Sequence, residues 1–339
     1  MTRNKGSVLV TGGAGYIGSH IVRTLRREGY VPVILDDLSE GHRESAGGER
    51  IVQADIADRG ALNELLGAGG VVGCVHMAAR CLVGESMEKP RRYFRENLTK
   101  SLELLDALLD HGVRAFVLSS TAAVYGEPEK TPITEDLREA PINPYGESKY
   151  FFERALDRAR AAEGLRFAAL RYFNAAGAHP SGEIGEDHAH ETHLIPLAIR
   201  AAMGLSRKLT IFGEDYPTPD GTCVRDYVHV EDLAQAHVLA LDALVAGERG
   251  GFYNLGSEHG HSVREVLDTV RSVTGRDLPV EAGPRRPGDP AVLVASSARI
   301  QKKLGWRPRY ADLRTIVETA WEWHRRHPEG YATGAGASA

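Results

Sequence analysis

The chain has 339 residues, 42% of them hydrophobic and 26% charged, with a formal net charge of −5. That composition fits an ordinary globular protein, long enough for one large core or for two lobes. It excludes the basic footprint of a nucleic-acid binder, and no apolar run reaches the roughly 18 residues of a membrane span.

The opening stretch, MTRNKGSVLVTGG, runs straight into a strand-like segment without a signal-peptide pattern. Strand-length apolar runs then recur at 7–10, 31–35, 50–52, 73–76, 115–119 and 166–171. Helical patterns lie between them at 21–27, 61–66, 98–109 and 148–162. This alternation predicts a parallel sheet covered by helices on both faces. Beyond about Asn174 the pattern loosens into a Gly-, His- and acid-rich loop at 175–193, a helix at 195–203 and a turn-rich stretch, FGEDYPTPDGT, at 212–222. Helices at 230–245 and 263–274, a strand at 251–255, a loop at 282–291 and a last helix near 313–324 follow. The small-residue tail at 332–339 is expected to be disordered. The three cysteines, Cys74, Cys81 and Cys223, form no C-x-x-C. They suit a cytoplasmic protein without a disulfide framework.

The first strand leads into TGGAGYIGSH at 11–20 and then into a helix, with Gly12, Gly15 and Gly18 spaced G-x-x-G-x-x-G. Such glycines tighten the turn and let backbone N–H groups approach a pyrophosphate at the helix N-terminus. Asp36 ends the second strand, where a carboxylate receives an adenosine ribose 2′-OH and repels a 2′-phosphate, so NAD is favoured over NADP. Asp55 and Ile56 follow the third strand, where adenine contact and an ordinary turn are both open readings.

A second constellation begins at 117–128, VLSSTAAVYGEP, whose hydroxyls Ser119, Ser120 and Thr121 close a strand 24 residues before Tyr145. In YGESK, Tyr145 and Lys149 are four apart, one helical turn, so their side chains share a face if a helix starts there. Strand carboxyl ends open onto the ligand crevice, so hydroxyl, phenol and ammonium are expected to converge on the nicotinamide. Lys149 and the positive nicotinamide favour the phenolate, making Tyr145 a base for an alcohol proton during hydride transfer.

TGGAGYIG, SSTAAVYG, YGESK and RYFNAAGAHP (171–180) together resemble the extended short-chain dehydrogenase/reductase family, and within it the nucleotide-sugar epimerases. The resemblance runs from about Val8 to about His327 and includes GES (84–86), EIGED (183–187), VRDYVHVEDLA (224–234) and RRPGD (285–289). It implies an α/β fold: a Rossmann-type doubly wound parallel sheet with a smaller, partly interleaved C-terminal α/β lobe. Residues 1–174, with 228–256 returning to them, would bind NAD, and 175–330 would bind a UDP-sugar. It implies that Tyr145 is the base, Lys149 the ribose ligand and phenolate stabiliser, and Thr121 a hydroxyl shared with substrate. Gly12, Gly15, Tyr16, Ile17, Gly18, Asp36, Asp37, Asp55, Ile56, Met77, Ala78, Ala79, Asn97, Ser119 and Tyr172 would line NAD together with Tyr145 and Lys149. Asn174, His193, Leu194, Phe212, Arg225, Arg286, Asp289 and Leu293 would hold the UDP-sugar with Thr121 and Tyr145. In this reading the two arginines counter the diphosphate and Asp289 binds ribose. The implied reaction inverts C4 of a UDP-hexose, UDP-galactose to UDP-glucose, through a 4-keto sugar while NAD stays bound. A homodimer is implied, paired through the helices at 98–109 and 148–162.

Several positions depart from the best-known bacterial pattern: Thr121 replaces a serine, Cys81 a lysine and His193 an asparagine. Leu293 aligns with a gatekeeper beside the C2 substituent. Tyrosine there restricts the site to plain hexoses, whereas Cys or Ser admits N-acetylated ones, so UDP-GlcNAc/UDP-GalNAc activity is the alternative. A nucleotide-sugar dehydratase is disfavoured because Ala122 and Ala123 follow Thr121, where such enzymes carry acids. The run HAHETH at 188–193 suggests a metal, but its two outer-motif histidines are one residue too close for helical H-E-x-x-H, so no metal is expected.

Overall fold

A two-residue alternation organises the first half of the chain. The strands are Ser7–Thr11 (β1), Val31–Asp36 (β2), Ile51–Gln53 (β3), Val71–His76 (β4), Ala115–Thr121 (β5) and Arg166–Tyr172 (β6). Val8, Val10, Ile34, Val75, Val117 and Ala168 enter one core, whereas Leu9, Val33, Leu35, Cys74, Phe116 and Phe167 enter another. Successive strand residues point to opposite faces, so both faces of this sheet are buried. This computed structural model describes residues 4–206, 208–286 and 289–331. The tail expected to be disordered lies outside the described residues, as do Pro287 and Gly288.

The second half adds short strands Asn174–Ala176 (β7), Leu209–Phe212 (β8) and Val224–His229 (β9), then Gly250–Leu255 (β10), Gly260–Ser262 (β11), Val280–Gly283 (β12) and Val292–Leu293 (β13). Helices are Tyr16–Arg27 (α1), Arg59–Gly67 (α2), Val83–Glu88 (α3), Pro90–Phe94 (α4), Lys100–Asp110 (α5) and Pro144–Glu163 (α6). Leu194–Ala202 (α7), Val230–Val245 (α8), Val263–Thr274 (α9), Ala298–Leu304 (α10) and Leu313–Arg326 (α11) complete them.

The seven-stranded sheet has the order β10-β6-β5-β4-β1-β2-β3, and each of its pairs is parallel. Helices α1 and α8 cover one face; α2, α5 and α6 cover the other. Strand order reverses between β1 and β4, and a crevice at the carboxyl ends there is the ligand position of a doubly wound sheet. Strand β10 returns from the second half to pair with β6. Apart from this sheet, α7, α9 and α11 pack with β8 and β9 into a third core.

Local chemistry moves three boundaries from the sequence reading. Helix α6 starts at Pro144, four residues early, because Asn143 Oδ1 accepts from Gly146 N (2.9 Å) and Pro144 sits at the first helical position. Helix α1 starts at Tyr16, with Gly15 as its cap. Ahead of α5, Arg95–Thr99 forms a π-helical turn, a feature that hydrophobic periodicity does not encode. Strand β9 escaped the sequence reading because it buries a charged residue, Asp226, within V-R-D-Y-V-H.

Candidate active site

The glycine turn joins β1 to α1. A Cβ on Gly12, which has φ +67°, would lie 2.6 Å from Ala78 N, and one on Gly18 only 2.1 Å from Gly12 O. Those two glycines are fixed by close packing within the protein. Gly15 differs: its Cβ would meet nothing nearer than Gly12 O at 3.4 Å. Packing therefore does not demand glycine there, whereas a backbone-contacting ligand does. Helix α1 also has no side-chain cap bond and no acid in its first turn, which leaves its N-terminus open to an anion. Asp36 is buried at the end of β2 and accepts from Ala14 N (3.0 Å) and Leu38 N (2.9 Å), clamping the turn to the strand. Burial pushes the Asp36 carboxyl up, and these two N–H groups oppose it. These residues fit a dinucleotide.

The remaining cofactor candidates divide. Met77 N and Ala78 N both donate to Thr11 O (3.0 and 3.2 Å), placing 77–79 at the crevice beside the turn. Asn97, buried in the π-turn, accepts from Arg80 N (2.8 Å) and donates to Arg80 O (2.9 Å) and Ser148 Oγ (3.1 Å). It thus pins the segment after β4 to α6. Asp37 is exposed and turns onto Ser39 N. Asp55 pairs with Lys100 (2.6 Å); burial opposes, but this ammonium and the Ala57 N–H hold its carboxyl low. Ile56 packs in the core under α2, and Ile17 packs partly against the other core. The Tyr16 hydroxyl donates across to Gly177 O (2.6 Å), tying α1 to the second half of the chain.

At the carboxyl end of β5 the hydroxyls meet α6. The Tyr145 phenol lies within the influence of the Thr121 hydroxyl, and the Lys149 ammonium donates to Ser119 O (2.9 Å). Ser119 Oγ hydrogen-bonds the Tyr172 hydroxyl from β6. Gly146 lets α6 approach, since a Cβ there would lie 2.6 Å from Ala123 O. Burial pushes the Tyr145 phenol well up, with Thr121 opposing. Burial also brings Lys149 down to about 8, with Cys81 and Glu153 opposing. Cys81 is thus within electrostatic reach of both, at the position where the resemblance has a lysine.

Sequence reading missed the support beneath this site. Glu153, one turn beyond Lys149, accepts from Ser120 Oγ (2.6 Å) and from Arg171 Nε (2.9 Å) and NH2 (2.6 Å). Arg171 also donates to Tyr125 OH (2.9 Å) and Glu139 (3.0 Å). The signal was present: Y-x3-K-x3-E puts three polar groups on one helical stripe, and Arg171 interrupts a buried strand.

The second-half candidates lie on β7, β8, β9 and β13 and at the start of α7, with Arg286 and Asp289 in the loop between β12 and β13. Asn174 donates to Asp226 O (3.0 Å). Arg225 pairs with Asp289, and the Arg286 guanidinium lies 4.1 Å from the Phe212 ring centroid. Leu293 is in register with Arg225 and packs against Val124 and Tyr125, just beyond Thr121. His193 precedes Leu194 at the N-terminus of α7 and hydrogen-bonds Glu186. Burial opposes, but Glu186 beside the imidazole brings it up to about 9.

Residues 8–256 match the family described as NAD dependent epimerase/dehydratase. The chain is 49% identical over 326 residues to a UDP-glucose 4-epimerase of Lacticaseibacillus casei, covering 96% of this chain and 98% of that protein. A UDP-glucose 4-epimerase from Brucella ovis, solved with NAD, superposes with a TM-score of 0.91 at 46% identity, covering 93% of this chain and 97% of the other. One from Bifidobacterium longum, solved with NAD+ and UDP, gives 0.91 at 35% identity, covering 96% and 100%. With this similarity extending over both halves of the chain, the chain belongs to the NAD-dependent epimerase/dehydratase family, among its UDP-glucose 4-epimerases.

Proposed function

We propose that this chain interconverts UDP-galactose and UDP-glucose by inverting C4, with NAD retained between turnovers. The observation that carries this reading is that α6 holds Lys149 on Ser119 O (2.9 Å), bringing the Tyr145 turn of that helix to the carboxyl end of β5, where Thr121 stands. When bound, NAD supplies the acceptor and the donor of the C4 hydride. Tyr145 takes the C4 hydroxyl proton at its phenol oxygen and later returns it. Thr121 orients that oxygen and the substrate hydroxyl. Burial alone disfavours the phenolate, so the nearby positive charges of Lys149 and of the oxidised cofactor are needed to favour it.

Arg225 and Arg286 neutralise the diphosphate, Asp289 holds ribose, and Phe212, Asn174, His193 and Leu194 complete the nucleotide side. Tight hold on UDP with a loosely held hexose lets the 4-keto sugar swing about the diphosphate link and present its opposite face. The same reading assigns 1–174 with 228–256 to NAD and 175–330 to the UDP-sugar. Incubating purified protein with UDP-galactose and no added NAD should yield UDP-glucose on chromatography. No product, even after NAD is added, would reject the reading.

Asp36→Ala removes both acceptors of the clamp. It should strip NAD from the purified protein, read as loss of nucleotide released on denaturation; full retention would remove Asp36 from the cofactor site. At Leu293, tyrosine should lower kcat/KM for UDP-GalNAc relative to UDP-galactose by about tenfold or more, and serine should raise it. An unchanged ratio in both variants would show that Leu293 is not the gate.

The assembly we propose is a homodimer formed through α5 and α6. Phe151 on α6 is 48% exposed, with its ring centroid 6.3 Å from that of Phe94, an apolar face suited to a second copy. A cytoplasmic location is supported by three free cysteines, and among the described residues no helix is long and apolar enough to cross a membrane.

A further inference from the structure

The loop ahead of α7 does something that its sequence spacing disguises. It is not helical, so the comparison with helical H-E-x-x-H does not apply to it. Glu186, His188, Glu191 and His193 instead offer one ligand atom each, all within 4.8 Å of one another. Glu186, two residues ahead of the HAHETH run, is the member that the run alone could not supply.

The separations put these atoms within reach of a single ion. His188 Nδ1 lies 3.4 Å from Glu186 Oε1 and 3.3 Å from Glu191 Oε2, and His193 Nδ1 lies 3.6 Å from Glu191 Oε1. A tetrahedron with metal–ligand bonds of about 2.1 Å has edges of about 3.4 Å. Charge-assisted hydrogen bonds favour about 2.7–2.9 Å instead. The His188 edges to Glu186 Oε1 and to Glu191 Oε2 therefore have coordination length; the His193–Glu191 distance runs to the other carboxylate oxygen, Oε1, and Glu186–His193 is closer. Both imidazoles turn the same nitrogen, Nδ1, toward the same Glu186 oxygen.

The loop is also held rigid from outside, as a metal site requires. Trp323 Nε1 on α11 donates to Glu186 O (3.0 Å), and Tyr331 N donates to Asp187 Oδ2 (2.8 Å). Thr192 N and His193 N both donate to Glu191 Oε1 (2.7 Å each), fixing that carboxylate. The His188 ring stands edge-on to Tyr16, 6.3 Å between centroids.

We propose that Glu186, His188, Glu191 and His193 form a closed, four-ligand site for a divalent cation of the zinc class. Two imidazoles and two carboxylates suit zinc, and two carboxylates balance its charge. The ion staples the loop between the glycine turn and α7, setting the position from which His193 and Leu194 meet substrate. With Nδ1 on the metal, His193 keeps its Nε2 for the diphosphate.

The test is direct binding to the NAD-containing protein after dialysis against a chelator. Calorimetry with zinc should give one equivalent per chain. Cobalt(II) should give the intense visible absorption of a tetrahedral ion, without the thiolate charge-transfer band that Cys81 would produce. Glu191→Gln and His188→Gln, with retained NAD reporting that the fold is intact, should each weaken zinc binding by about 100-fold or more. No stoichiometric binding, or affinity unchanged in both variants, would overturn the proposal. So would a weak octahedral cobalt spectrum of the unaltered protein, a result that does not depend on any variant folding.

Discussion

Tyr145→Phe is expected to lower kcat by about 100- to 10,000-fold while leaving UDP affinity intact. The reason lies in how the neighbouring groups are already committed. Lys149 donates to Ser119 O, and Thr121 Oγ1 accepts from Ala123 N (3.1 Å), so neither is placed to replace the phenol as a proton store. Phenylalanine preserves the ring and its edge-on contact with Tyr93, 6.4 Å between centroids, so the loss is chemical and not a packing defect. Turnover and UDP titration on the same preparation check this. A variant with the parent kcat would show that the proton passes through another group.

Arg171→Met carries the largest expected effect on stability, about 3–5 kcal/mol. Glu153 and Arg171 side chains are each 1% exposed. Removing the guanidinium leaves the Glu153 carboxylate buried with Ser120 Oγ as its remaining hydrogen-bond donor. The double variant Arg171→Met/Glu153→Gln should recover part of that loss, because the unpaired charge is what costs most. Denaturant midpoints of the parent, both single variants and the double variant measure this coupling. If Arg171→Met lost less than about 1 kcal/mol, the pair would not be holding β5, β6 and α6 together. Because Glu153 shares its helix stripe with Lys149 and Tyr145, the same packing sets where the catalytic pair stands.

The parallel sheet was legible because its strands alternate between two cores and its helices cover both faces. The glycine turn was legible because strand, glycines and Asp36 occur in a fixed order. Tyr145 and Lys149 were legible because helical spacing puts them on one face, and Asn143 with Pro144 shows why that helix begins where it does. What stayed hidden depends on long-range closure. Glu153 and Arg171 lie 18 residues apart and meet only when α6 packs on β6. Strand β9 carries Asp226 inward, where Ser257 N (2.8 Å) and Ala295 N (3.1 Å) satisfy its carboxylate, so its pattern reads as a polar loop. The π-turn that seats Asn97 has no hydrophobic period. The loop from Glu186 to His193 has ligand spacing without helical spacing, and only its folded path brings the four side chains together.

The central claim is that one hydride leaves C4 and returns to the same carbon within a single active site. UDP-galactose deuterated at C4, incubated with the purified protein and no added NAD, tests it most directly. The expected product is UDP-glucose that still carries deuterium at C4, read by mass spectrometry and NMR. Product whose C4 deuterium has been lost to water, or turnover that needs added NAD in proportion to product, would contradict it.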